Sequence, residues 1–323
     1  MLTLEETRAV LTVALLAAFS DGLKDDRERE AVKRVADALG PDAGFDLPGL
    51  YRDVLLAKPD LAKVAAELRS PESRQLAYEM AVGVCDADGA QGPAEKTFLA
   101  KLAEALALPA AAASATSARA DELAEAAFAP TEAPAEAVTA PVSGTILGKA
   151  NISDAEMDKL ILNASITNAA LELLPETLAS MAIIPLQMRL VSRIGKAHGY
   201  PMDRTHAKDF IATLGVGLTG QYLEQFGRKL LGGLLGGLGG GIGRGVGRQA
   251  ASSGLTFATT YALGRVAQRY YAAGRTIDTA TLKQTFASLL DEARGLAPRY
   301  REQIEQKAGT IDVRNLASLV TQG

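Results

Sequence analysis

The chain has no tryptophan, one cysteine, two histidines and only 5% aromatic residues over 323 positions. Each scarcity excludes something. A lone Cys85 forbids an internal disulfide and fits a reducing compartment. His198, His206 and Cys85 make no ordinary zinc site unless carboxylates join them. Sustained period-two alternation is missing, while Ala and Leu dominate, so the predicted fold class is all-α. The apolar run from Ala9 to Phe19 is flanked by Glu5 and Glu6 with only Arg8, the wrong charge for a signal peptide. It is expected to be a core helix.

Charge is present but unevenly placed. The net −4 divides into −10 for residues 1–142 and +6 for residues 143–323, and residues 189–275 alone reach +9. A basic, apolar stretch favours an anionic surface. Nucleic acid is the weaker candidate, because the cations are interspersed singly among Leu, Gly and Ala, with only Tyr270 and Tyr271 beside them for stacking.

Residues 1–108 contain a repeat at an offset of 67. Asp21-Gly22 followed by Glu28 aligns with Asp88-Gly89 followed by Glu95, and Val32, Val35, Ala36 and Leu39 align with Leu99, Leu102, Ala103 and Leu106. Each copy reads as helix, tight turn and second helix with an acidic first turn. Ala18-Phe19-Ser20-Asp21-Gly22 with Glu28, and Asp86-Ala87-Asp88-Gly89 with Glu95 and Phe98-Leu99, resemble the TerB-like domain of tellurite-resistance-type bacterial proteins. That resemblance implies a helical fold and envelope or metal-stress physiology. Asp21, Glu28, Asp86, Asp88 and Glu95 are candidate oxygen ligands for a divalent metal, but their spacing fails the EF-hand template. Helix capping accounts for the same residues without a metal. No cofactor is otherwise expected.

Residues 109–143 reduce to Ala, Pro, Glu, Thr and Ser and are expected to be a flexible linker, with a short helix around 121–128. Residues 144–323 then form a second helical domain. Ser153-x-x-Glu156 is a capping box opening its first helix, and Asp203 and Asp278 cap later ones. Ser252 and Ser253 precede another that stops at Gly274. Gly144–Lys149 evokes a phosphate loop but has three residues between its glycines, and Ala150 stands in place of Ser or Thr. Ile184-Pro185-Leu186-Gln187-Met188, Arg193-Ile194-Gly195-Lys196 and Ala262-Leu263-Gly264-Arg265 look like the domain of unknown function shared by YcjF-type inner-membrane proteins and some Era-like GTPases. This resemblance, over residues 155–295, implies a GTPase partner supplied in trans.

The densest signal is a glycine ladder. Ten glycines fall between Gly232 and Gly247, with Gly233, Gly237, Gly241 and Gly245 in a four-residue register. A helix with that register presents a groove that another backbone can approach closely. Each helical glycine costs about 1 kcal/mol relative to alanine, so close packing or lipid must offset it. Arg228 and Lys229 precede the ladder and Arg244 and Arg248 lie at its end, suiting an anionic membrane or a second copy of the chain. The uncharged runs 230–243 and 249–264 would be about 21 and 24 Å long as helices, short of the roughly 30 Å hydrocarbon core. A shallow insertion therefore fits better than a span.

The expected protein is a non-enzymatic, membrane-associated adaptor on the cytoplasmic face of the inner membrane. A soluble, self-assembling interaction protein is the alternative, and a metal-dependent enzyme at the acidic repeat comes third.

Overall fold

The computed structural model describes residues 2–21, 26–87, 91–129, 150–214, 218–231 and 242–322. Every regular element among them is helical, as expected. The α-helices are α1 Leu4–Ala18, α2 Asp26–Ala43, α3 Leu47–Ala57, α4 Leu61–Ala66, α5 Pro71–Cys85, α6 Pro93–Ala105, α7 Ala110–Ala126 and α8 Asp154–Leu173. There follow α9 Thr177–Met181, α10 Ile183–Ala197, α11 Arg204–Thr213, α12 Leu218–Leu231, α13 Ile242–Ala272, α14 Thr279–Leu296, α15 Arg301–Ala308 and α16 Leu316–Gln322.

Local chemistry sets many of the ends. Thr3 and Glu6 form a reciprocal capping box on α1, with bonds of 3.0 and 3.1 Å. Ser70 and Ser73 close the start of α5, where Pro71 occupies the first turn, a position whose missing N–H leaves no bond unmade. The predicted Ser153–Glu156 box opens α8, and Asp203 and Asp278 cap α11 and α14 as expected.

The chain folds into two compact units that interleave along the sequence. One comprises Met1–Ala124, Leu174–Met181 and Gly215–Ser252; the other comprises Glu125–Leu173, Ala182–Leu214 and Ser253–Gly323. The expected boundaries at 108 and 144 therefore do not describe the units, since two segments of the second half belong with the first. The reason lies in α9 and α12, which bury their side chains in the first unit.

In that unit α1 and α5 pack closely together, each buried on most sides. Ala9–Phe19 thus supplies a core helix. The first helices of the two copies of the repeat, α1 and α5, pack against each other, and their second helices are α2 and α6.

The linker expectation fails for residues 110–126. They form α7, whose Ala113, Ala120 and Leu123 are buried and whose Thr116 and Ser117 meet Gln75 and Tyr78 of α5. Alanine, the best helix former, outweighs the low-complexity look of the stretch once one face can pack. Residues 130–149 lie outside the described residues.

The second unit has its core where α8, α13 and α15 meet. Ile166, Ala169, Ala170, Phe257, Ala297 and Ile304 are buried together, and the Phe257 ring stacks on Tyr300 at 5.3 Å. Gly264 lets α13 approach α8 and α10, since a Cβ there would meet Ile161 at 2.9 Å and Leu190 at 3.2 Å. The expected helix start near Ser252 is also corrected. Helix α13 runs unbroken from Ile242 to Ala272, and Ser253 is interior to it, its hydroxyl donating to Ala169 O at 3.0 Å. A serine within a helix need not cap it when a neighbouring carbonyl takes its proton.

Candidate functional site

Within the acidic repeat, Glu95 serves as a helix cap. It is buried, and its carboxylate accepts the Gly92 N–H at 2.7 Å at the head of α6. Asp86 sits at the C-terminal end of α5, its N–H donating to Val82 O at 2.8 Å. Asp88 and the side chain of Glu28 lie outside the described residues, and Asp21 lies in the bend after α1. No group of three or more His, Cys, Asp or Glu that could hold a metal occurs among the described residues. His198 terminates α10, whereas His206 pairs with Asp203 at 2.7 Å at the start of α11. The two histidines therefore lie at separate helix ends.

The ladder residues Gly233, Gly237 and Gly241 lie outside the described residues, as do the side chains of Arg244 and Arg248. Gly245 falls in α13. No described helix is long and apolar enough to cross a membrane.

Helix α12, which leads to the ladder, has a seat that the sequence did not suggest. It packs on α2, α1, α5 and α9 and is buried on nearly every side. Tyr222, Leu223, Phe226 and Leu230 are buried, and so are Gln221, Gln225 and Lys229, spaced four apart. Two glycines set its depth. A Cβ on Gly83 of α5 would lie 2.8 Å from two carbons of the Phe226 ring, and one on Gly227 would lie 2.3 Å from Leu39 Cδ1 of α2. Each helix thus gives the other a side-chain-free hollow. The Tyr222 hydroxyl donates to Met181 O at 2.8 Å, and its burial raises the phenol well above its usual pKa.

This seat corrects the role expected for Arg228 and Lys229. Lys229 is 3% exposed and donates to Leu174 O at 2.7 Å, while Arg228 pairs with Glu224 one turn earlier on α12. Both were expected to serve membrane or helix-packing contacts beside the ladder. The ammonium instead finds a carbonyl inside the unit, and the guanidinium finds a carboxylate on its own helix.

A second polar constellation lies inside the other unit. Thr260 Oγ1 of α13 accepts from Asn168 Nδ2 of α8 at 3.3 Å and from Gln187 Nε2 of α10 at 3.1 Å, and all three residues are at most 1% exposed. Nearby on α10, Arg189 is 3% exposed. Its guanidinium donates to the carbonyls of Ala126, Ala127 and Ala129 at 3.2–3.3 Å and to Thr321 O. It thereby gathers the C-terminal ends of α7 and α16, where helix carbonyls lack intrahelical donors. Burial, and then the neighbouring Arg193, lowers its pKa. The only sequence hint of these roles was polar residues inside the apolar run 183–194.

Aromatic residues converge near the end of α13. Tyr271 has ring centroids of Tyr200, Phe210 and Tyr270 within 5.2–5.8 Å, Phe210 and Tyr270 lie 5.2 Å apart, and Arg275 lies over Tyr200 at 5.8 Å. Arg275 has φ 65°, a left-handed conformation that closes the helix, its N–H donating to Tyr270 O at 2.9 Å.

Comparison with known proteins reaches one part of this architecture. Residues 3–120 match DUF533, a family described as a protein of unknown function. DUF533 is a TerB-like family, so over this stretch the chain is similar to TerB-like proteins, as the residues of the repeat suggested. The match takes in α1 to α6 and most of α7 but ends well before α12. It does not extend over residues 155–295, and the YcjF-type resemblance gains no support from it. No curated protein and no solved structure matches the chain.

Proposed function

We propose that the protein is a non-enzymatic helical adaptor that meets an anionic membrane surface through its basic second half. The observation that carries this reading is the charge asymmetry, −10 over residues 1–142 against +9 over residues 189–275. Lys196, Arg269 and Arg275 are exposed, and the left-handed backbone and Tyr200 ring hold Arg275 in place at the helix end. Cations near an anionic leaflet contribute about 1 kcal/mol each, so several together suffice for peripheral attachment without a span. The TerB-like resemblance supports a role for the adaptor in envelope or tellurite-type stress physiology, and the proposed site of attachment is the cytoplasmic membrane face. The YcjF-type resemblance adds a GTPase or stress-complex protein as partner in trans, and the ladder adds self-association.

The test is co-sedimentation of the full chain with vesicles. Binding to vesicles rich in anionic lipid is expected at low salt, with weak binding to neutral vesicles and release by high salt. Arg244→Ala with Arg248→Ala is expected to weaken anionic binding by about 1 kcal/mol per charge. Lys229→Gln should leave it unchanged.

A soluble interaction protein is the second reading, favoured by the inward commitment of Lys229 and the pairing of Arg228. A chain that stays in the supernatant with both vesicle types establishes that reading instead.

A further inference from the structure

We propose that the face of the DUF533-type stretch formed by α1, α2 and α5 is a helix-binding groove, that α12 occupies it as a ligand in cis, and that an amphipathic helix of a partner protein displaces α12. The inference does not depend on membrane attachment. The groove lies within residues 3–120, whereas the helix that fills it comes from about a hundred residues beyond the end of the family match. The contact has the form of helix-in-groove recognition, in which a few large side chains at helical spacing provide the anchors. Tyr222, Phe226 and Leu230 are those anchors, spaced four apart and each at most 5% exposed. Gly227 lies beside Phe226 and admits Leu39, while Gly83 in the groove admits Phe226, so the pattern Tyr-x-x-x-Phe-Gly-x-x-Leu is read from both sides.

The seat also contains a flaw that leaves room for a competitor. Gln225 is 6% exposed, and its Oε1 has no hydrogen-bond partner among the described residues. A buried acceptor left unsatisfied weakens the complex that contains it. The displacing helix is accordingly one with the same anchors and an aliphatic residue at the Gln225 position. The cis ligand holds the groove through high effective concentration, and a better-fitted helix in trans would compete against that advantage.

The experiment uses the full chain with specific protease sites placed within residues 215–217 and 232–241. After cleavage, the body is challenged with a fluorescent synthetic peptide of residues 217–232, and with the same peptide carrying Gln225→Leu. The expected result is saturable uptake of the labelled peptide with release of the excised helix. The leucine peptide should bind at least tenfold more tightly, from removal of the unpaired acceptor. Gly83→Leu in the body should abolish uptake of both. Amide hydrogen exchange on the uncleaved chain supplies an independent reading, with α12 expected to open before α1 and α5. If cleavage collapses the helical signal of the body, α12 is an integral core helix and the proposal fails. Failure of the peptide to exchange, or exchange of α12 amides only together with those of α1 and α5, overturns it equally.

Discussion

The contact between Gly83 and Phe226 is open to a quantitative test. In Gly83→Ala the new methyl would sit 2.8 Å from Phe226 Cε2 and Cζ and 3.3 Å from Met181 Cγ. Phe226 has no exposed surface and Met181 almost none, so neither side chain has an easy way out. Two terms oppose each other. Replacing glycine inside a helix gains about 1 kcal/mol of propensity, while overpacking a filled core costs about 1–3 kcal/mol. The overpacking term should win, leaving Gly83→Ala destabilised by about 1 kcal/mol. Phe226→Ala alone removes a fully buried ring and should cost about 3–5 kcal/mol. In the double variant the methyl no longer meets a ring and the propensity gain returns. The double variant should therefore be more stable than the two single losses predict, by about 1–2 kcal/mol. Chemical denaturation of the full chain, with the single and double variants measured side by side, gives the coupling. Additivity within about 0.5 kcal/mol, or a Gly83→Ala variant more stable than the parent, would refute the claim that α12 lies against α5.

Two further outcomes follow from buried polar groups. The Glu6 carboxylate accepts the N–H of Thr3 and of Arg69, and these bonds, the Thr3 backbone foremost, hold its pKa below the ordinary 4.5 despite opposing burial. Its stabilisation should be fully present above pH 4.5 and be lost as pH falls through the lower folded value. Glu6→Gln should cost about 1–2 kcal/mol at neutral pH and flatten that part of the acid-side slope, as read by thermal melts across pH. In the other unit, Thr260→Val keeps the shape but removes the hydroxyl that accepts from both Asn168 Nδ2 and Gln187 Nε2. A loss of about 2–4 kcal/mol is expected, against less than about 1 kcal/mol for Thr260→Ser, with denaturation midpoints as the measure.

Much of the local structure was written in short-range signals. The capping chemistry of Ser153 with Glu156, of Asp203 and of Asp278 is complete within four residues, so their helix starts could be read directly. The all-helical class followed from composition and period, and the helices of the repeat followed from the aligned apolar stripes around them. The apolar run Ala9–Phe19 likewise declared itself a core helix by its length and flanks. Local rules failed where a distant partner decided the outcome. Residues 110–126 have the composition of a linker, yet helix propensity prevails because α5 supplies a surface for Thr116 and Ser117. Ser253 has the identity of a cap, but the carbonyl of Ala169, some eighty residues away in sequence, takes its hydrogen bond and the helix runs through.

What the sequence determined by itself was the helical class and the helices whose caps and apolar stripes are complete within one or two turns, because propensity, capping and periodicity act over that range. It also located the charge asymmetry, a matter of counting. What only the tertiary structure decided was the pairing: that α12 belongs with α1, α2 and α5, that Lys229 turns inward to Leu174, and that Thr260 joins Asn168 to Gln187. Apolar attraction is non-directional and does not name its partner. The choice rests on shape, in the fit of Phe226 over Gly83 and of Leu39 over Gly227, and on hydrogen bonds that exist only once the backbones have met.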